Sequence, residues 1–167
     1  MAGDTSNSKE EAVPAGMQAL KERALAFAQG VAEQSGLQMT ARLSHEEPDG
    51  VTIAFEGAEA RYMVGRNGQI LDALAYLASL VVNRRGGPRL RVIFDADGYR
   101  AHREQTLRNL AKELSEQVLA TGQEAVLDPL SPLERRIVHQ ALLEIPGVRT
   151  YSEGEDPERY VIISPAA

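Results

Sequence analysis

The spacing of apolar residues along this chain switches repeatedly between the three-and-four step of a helix and the alternation of a strand. That switching restricts the chain to a mixed fold. Met17, Leu20, Ala24, Phe27, Ala28 and Val31 recur as an amphipathic helix requires, and Gly36 follows as its stop. Leu37, Met39, Ala41 and Leu43 alternate as one face of a strand over 37–43. Residues 44–50 (SHEEPDG) are a turn-rich connection, and Val51, Ile53 and Phe55 mark a second strand. The two strands are expected to pair as an antiparallel hairpin. A short helix over 58–63 runs to Gly65, and a longer one starts near Gly68 with Ile70, Leu71, Leu74, Leu77, Ala78 and Val81 on one face. Residues 83–88 (NRRGGP) end that helix, and Leu90, Val92 and Phe94 alternate as a third strand over 89–94. The order is α-β-β-α-α-β.

Residues 95–98 mark a boundary. A helix is expected over 99–119 with Leu107, Leu110, Ala111, Leu114 and Val118 inward, closed by Thr121-Gly122, and a short strand over 124–127. Ser131-Pro132-Leu133-Glu134 is a strong helix start, with serine at the cap, proline at the first helical position and glutamate three residues after the cap. That helix stops before Pro146-Gly147, and strands over 148–151 and 160–163 flank the acidic loop 152–158. The second order is α-β-α-β-β. The fold class is therefore α+β, as two small domains in series over 15–96 and 97–167. The polar, charged segment 1–14 is expected to be disordered.

The composition narrows the function. The chain has 167 residues, 43% of them hydrophobic and 25% charged, which suits globular domains. The absence of cysteine excludes disulfides, thiolate metal sites and a cysteine nucleophile. No apolar run is long enough to cross a membrane, and residues 1–16 lack the apolar core of a signal peptide. A soluble, cytoplasmic protein without membrane insertion is expected. The net charge of −6 argues against a nucleic-acid ligand, but the charge is unevenly placed. Residues 60–94 hold Arg61, Arg66, Arg84, Arg85, Arg89 and Arg91 against the single acid Asp72. Arginine suits bidentate contact with phosphate, and the alternative is a solvated basic face. Tyr62, Tyr76, Tyr99, Tyr151 and Tyr160 are either stacking platforms for bases or residues at the edge of the core.

Catalysis has little support in the sequence. His45, His102 and His139 show no metal-ligand spacing such as H-E-x-x-H, and there is no Walker A loop and no Rossmann fingerprint. Asp95 and Asp97 fall at a strand end with no histidine partner. Only a nuclease or phosphotransferase built on scattered carboxylates remains, so a non-enzyme needing no cofactor is expected.

Gly65-Arg66-Asn67-Gly68 carries more information. Two glycines permit a tight turn and close approach of a ligand backbone. The following helix is expected to offer free N–H groups and the positive end of its dipole at Gln69 and Ile70. The plain alternative is an exposed helix–turn–helix connection. In the second half, Arg135 and His139 stand four residues apart and leave one face of a helix, able to meet one anionic ligand together. The alternative is a structural role for His139. Arg136 points elsewhere on the helix, and either extends the patch or is solvated.

With these residues in view, Val64 to Leu74 resembles the GXXG loop and following helix of a type II KH domain, an RNA-binding module. Residues 98–163 resemble the R-x-x-x-H domain, whose signature is matched by Arg135 and His139 within the run Glu134 to Leu142. This tandem order is that of the bacterial Jag/KhpB family of SpoIIIJ-associated RNA-binding proteins. The resemblance implies a non-enzymatic binder of single-stranded RNA, with single-stranded DNA as an alternative. It implies post-transcriptional control linked to cell shape, elongation and division, and a small single-KH partner protein, and it leaves homodimerisation open. A protein–protein interaction or dimerisation module is the competing class, mediated by the first helix or a sheet edge.

The implied backbone clamp is Gly65, Arg66, Asn67 and Gly68, with Gln69 at the helix start and bases lying near Val64, Ile70 and Leu71. Arg84 and Arg85 either hold phosphates beside the loop or merely favour the end of the helix dipole. Arg135, Arg136 and His139 would add another contact. Two weak sites on one chain gain through effective concentration. Two departures from the family stand out. Many family members carry a separate N-terminal Jag domain and a basic linker, and only a short polar segment is expected in their place here. One basic residue in the loop pair Arg66-Asn67 also predicts weaker phosphate attraction than two would give.

Overall fold

The computed structural model describes residues 15–83 and 87–166; the segment 1–14, expected to be disordered, lies outside them, as do Arg84 and Arg85. The chain forms two compact units, one up to Tyr99 and the other from Arg100, and each mixes helix with sheet around its own core. The fold class is α+β.

In the first unit the order is α1 (Ala15–Gln34), β1 (Thr40–Glu47), β2 (Gly50–Glu56), two 3-10 turns at Ala60–Met63 and Arg66–Gly68, α2 (Gln69–Val82) and β3 (Arg91–Ala96). The sheet order is β1-β2-β3, with β2 antiparallel to β1 and parallel to β3. The hairpin joins the antiparallel pair. The parallel pair needs a crossover, and α2 supplies it. Ile53 and Phe55 of β2 and Phe94 of β3 form the centre of the core, with the Phe55 and Phe94 rings stacked at 5.4 Å. Ala24, Ala28 and Ala32, at four-residue steps, give α1 a small-residue stripe to lay on them.

Three expectations change here. The helix anticipated over 58–63 is only a 3-10 turn. The strand anticipated over 37–43 begins later and runs on through residues expected to form a turn. A β-bulge between Leu43 and His45 shifts its register, so that Glu46 lies opposite the buried Val51. Cross-strand partners share a face, which turns Glu46 toward α1, and there the buried Lys21 Nζ donates to Glu46 Oε2 at 3.1 Å. The buried stripe of α2 is also rotated. Leu71, Ala78 and Val82 are inside, while Ile70, Leu77 and Val81 are 41%, 49% and 50% exposed. Two polar contacts fix the end of α2. Arg23 donates to the Val81 carbonyl at 2.7 Å, and the Asn83 amide exchanges hydrogen bonds with the Leu90 backbone at 2.9 and 2.8 Å.

The second unit holds α3 (Tyr99–Thr121) from its second residue onward, β4 (Ala125–Val126), α4 (Pro132–Leu142), β5 (Val148–Glu153) and β6 (Tyr160–Pro165). The sheet order is β4-β6-β5, antiparallel throughout. Central β6 is the most buried strand, and Val161 and Ile163 meet Leu107, Ala111 and Val118 of α3 and Val138 of α4 in one core. Leu110, expected inward, is half exposed, and Ser115 is buried instead, its hydroxyl donating to the Lys112 carbonyl at 2.7 Å. The start of α4 is as the sequence predicts. Ser131 Oγ accepts from the Glu134 amide at 3.3 Å, Glu134 Oε2 accepts from the Ser131 amide at 2.9 Å, and Pro132 takes the first helical position.

Candidate nucleic-acid interface

The loop between the first 3-10 turn and α2 is held by its backbone. Gly65 has φ 68 and ψ −161, a conformation essentially confined to glycine. Asn67 and Gly68 follow in left-handed geometry at φ 52 and φ 82. A Cβ on Gly65 would lie 2.6 Å from Ile70 Cγ1, and one on Gly68 would lie 3.1 Å from Tyr99 Cε1. The glycines therefore serve both dihedral freedom and close packing. Arg66 and Asn67 are exposed at the tip.

One electrostatic expectation is corrected at this loop. The Gln69 amide donates to the Arg66 carbonyl, and the Ile70 amide donates to the Val64 carbonyl at 3.2 Å. Both close the loop on itself and are not free for a ligand. Any anion there meets the Arg66 and Asn67 side chains and the α2 dipole. Val64 is partly buried, Gln69 is exposed and Ile70 is open to solvent. Leu71 is 0% exposed, so it supports this surface from within and does not line it. Tyr62 is exposed beside the loop with the Arg61 guanidinium 5.1 Å from its ring centre. Tyr99 packs into the core beneath Gly68. Within the run of arginines, Arg91 pairs with Glu47. Arg84 and Arg85 lie outside the described residues.

In the second unit Arg135 and His139 do leave one face of α4, and their partners come from elsewhere. Arg135 is 7% exposed. Its Nη1 donates to the Leu130 carbonyl at 2.8 Å and to Asp156 Oδ1 at 2.6 Å. The Arg135 hydrogen bond holds the Asp156 carboxyl below the usual carboxylate range. His139 is half buried, with Nδ1 at 2.7 Å from Thr150 Oγ1 and Nε2 at 3.0 Å from Ser152 Oγ. Burial, and then the Arg135 charge, hold the imidazole below its ordinary 6.5. The ring is thereby biased toward its neutral form, with each nitrogen facing a hydroxyl. Arg136 is exposed.

These residues wall an open cleft of about 670 Å³ between α4 and β5. Arg135, Arg136, Arg149 and Arg159 line it with His139, Thr150 and Ser152, and Leu142, Leu143 and Val148 add an apolar wall. Sequence reasoning finds the α4 residues and misses those of β5 and the loop before β6. The alternation of Thr150 and Ser152 is the one available signal. Among the described residues no group of three His, Asp or Glu forms a metal-ligand set, and no helix is long and apolar enough to cross a membrane.

Residues 105–165 match the family model of the R-x-x-x-H domain. The chain is 36% identical over 146 residues to the RNA-binding protein KhpB of Clostridium symbiosum, an alignment covering 87% of this chain and 66% of that one. It is 35% identical to the RNA-binding protein KhpB of Lactiplantibacillus plantarum, covering 68% and 35%. It is 39% identical to the RNA-binding protein KhpB of Bacillus subtilis, covering 65% and 53%. The chain thus spans between about a third and two thirds of the length of these curated relatives.

Proposed function

Because the chain belongs to the KhpB family, we propose that it is a non-enzymatic binder of single-stranded RNA. In this reading residues 15–96 work as a type II KH domain and residues 97–167 as an R-x-x-x-H domain. Gly65 to Gly68 clamps the sugar–phosphate backbone, and bases lie over Val64 and Ile70. The α4–β5 cleft adds a second, weaker contact, and two sites on one chain raise each other's effective concentration. The physiological role is post-transcriptional control linked to cell elongation and division, exercised in the cytoplasm.

The observation that carries this reading is the loop itself. Gly65, Asn67 and Gly68, each at positive φ, hold Arg66 and Asn67 outward beside the open Ile70 side chain. A cation next to an exposed apolar surface is what a strand with phosphate on one side and bases on the other requires. The test is fluorescence anisotropy at one fixed salt concentration with single-stranded RNA, single-stranded DNA and duplex RNA. Single-stranded RNA is expected to bind best, and Arg66→Asp with Asn67→Asp to abolish that binding without unfolding the protein. Unchanged affinity in the folded variant would remove the loop from the interface.

A second reading is favoured by α2, which exposes Tyr76, Leu77, Leu80 and Val81 in one row. Such a patch suits a protein partner, either a small single-KH protein or a second copy. Sedimentation of the protein alone and with that partner distinguishes the two.

A further inference from the structure

The signature pair Arg135 and His139 is held by partners inside the second unit, yet the cleft they border keeps an unpaired donor. Arg159 lines the cleft from the loop before β6, and its Nε is a buried nitrogen with no hydrogen-bond partner. A buried donor without an acceptor is costly, and because the Nε itself is covered, a ligand oxygen in the cleft meets Arg159 at the terminal nitrogens of its guanidinium. The surroundings explain how Arg159 is aimed. Its backbone carbonyl accepts from the Leu130 amide at 3.0 Å, while Arg135 bridges the Leu130 carbonyl and Asp156. Arg135 thus ties the start of α4 to the loop that carries Arg159 three residues later.

We propose that Arg159, with the exposed Arg136 across the cleft, binds a backbone phosphate of the RNA strand, and that Arg135 and Asp156 are positioning residues for Arg159. This rests on the single-stranded RNA reading above and assigns contacts within it. Arg159 presents its planar fork to the phosphate oxygens, and the Thr150 and Ser152 hydroxyls line the same cleft. Leu143 and Val148 offer the adjoining base an apolar wall.

The test titrates the full chain with a single-stranded RNA oligomer by anisotropy and follows folding by circular dichroism. Arg159→Gln is expected to weaken binding about tenfold. Arg159→Lys keeps the charge and the stem and guards against a folding defect; it is expected to lose several-fold because the planar fork is gone. Asp156→Asn is decisive through its sign. Removing an acid beside a phosphate site strengthens binding if charge alone matters and Arg135 is set free to reach the strand. It weakens binding, as expected here, if the pair aims Arg159. Tighter binding by Asp156→Asn, or unchanged affinity in a folded Arg159→Gln protein, would overturn the assignment while leaving the loop reading intact. Failure of the unaltered protein to bind any RNA would overturn both. The 5′-hydroxyl and 5′-phosphate forms of the oligomer are expected to bind equally, and binding of the 5′-phosphate form alone would replace a backbone contact by an end contact.

Discussion

His139 couples the second unit to pH. Its folded value lies below the ordinary 6.5, because burial and the neighbouring Arg135 disfavour the charged ring. Above pH 6.5 both folded and unfolded chains carry it neutral, and its contribution to stability is fully present. As pH falls below 6.5 the unfolded chain takes up the proton first, and stability is lost until the pH passes the folded value. Thermal melts between roughly pH 7.5 and pH 5 are expected to show this loss, with a shallower fall in His139→Gln. A parallel pH dependence in the variant would assign the effect to other groups. At this scale the sequence exposes one side of each contact. Arg135 and His139 are legible from their spacing. Asp156, Thr150 and Ser152 lie 21, 11 and 13 residues away and meet them only through the fold. The glycines of the 65–68 loop are legible because their need is local. The amides of Gln69 and Ile70 escape such a reading because their acceptors, the Arg66 and Val64 carbonyls, depend on how the loop closes.

Elements announce themselves where their ends are chemically marked. The start of α4 is readable to the residue because Ser131 and Glu134 each accept from an otherwise unsatisfied amide and Pro132 has none to satisfy. Glu134 does more than cap, since its Oε1 accepts from Arg103 Nε at 2.8 Å and so joins α3 to α4. Ser131→Ala is expected to cost about 1 kcal/mol in denaturant titration. Glu134→Ala is expected to cost roughly 2 to 3 kcal/mol, because it leaves both the Ser131 amide and the Arg103 guanidinium without their acceptor. Equal losses would place the Arg103 contact in solvent-screened territory. By contrast, the sequence pattern cuts β1 short because its bulge breaks the alternation on which strand recognition relies. The exposed side of α2 is misjudged from sequence for a related reason. Its apolar residues go nearly all round the helix, and only the packing of the sheet and α1 decides which stripe is covered.

For the whole molecule the arithmetic of charge is the test. A chain of net charge −6 approaches RNA against a long-range repulsion, and its binding must come from local arginines. The affinity is expected to fall steeply with salt. Arg66→Gln is expected to flatten the slope of log affinity against log salt by about 0.7, the value for one phosphate contact on a single strand. Arg42, bound through two hydrogen bonds to Glu56 on the sheet, serves as the control, and Arg42→Gln should leave the slope unchanged. A flattened slope in both would mean that general charge governs binding.

The bulge in β1 also has a colloidal consequence. β1 forms one border of its sheet, where an unpaired row of amides and carbonyls invites another strand. The register shift between Leu43 and His45 interrupts that row, and Arg42 and Glu47 crowd it with hydrated charge. A second molecule laid alongside cannot continue the ladder past the interruption. The same distortion that lets one buried lysine meet a glutamate thus blunts that border against growth from copy to copy.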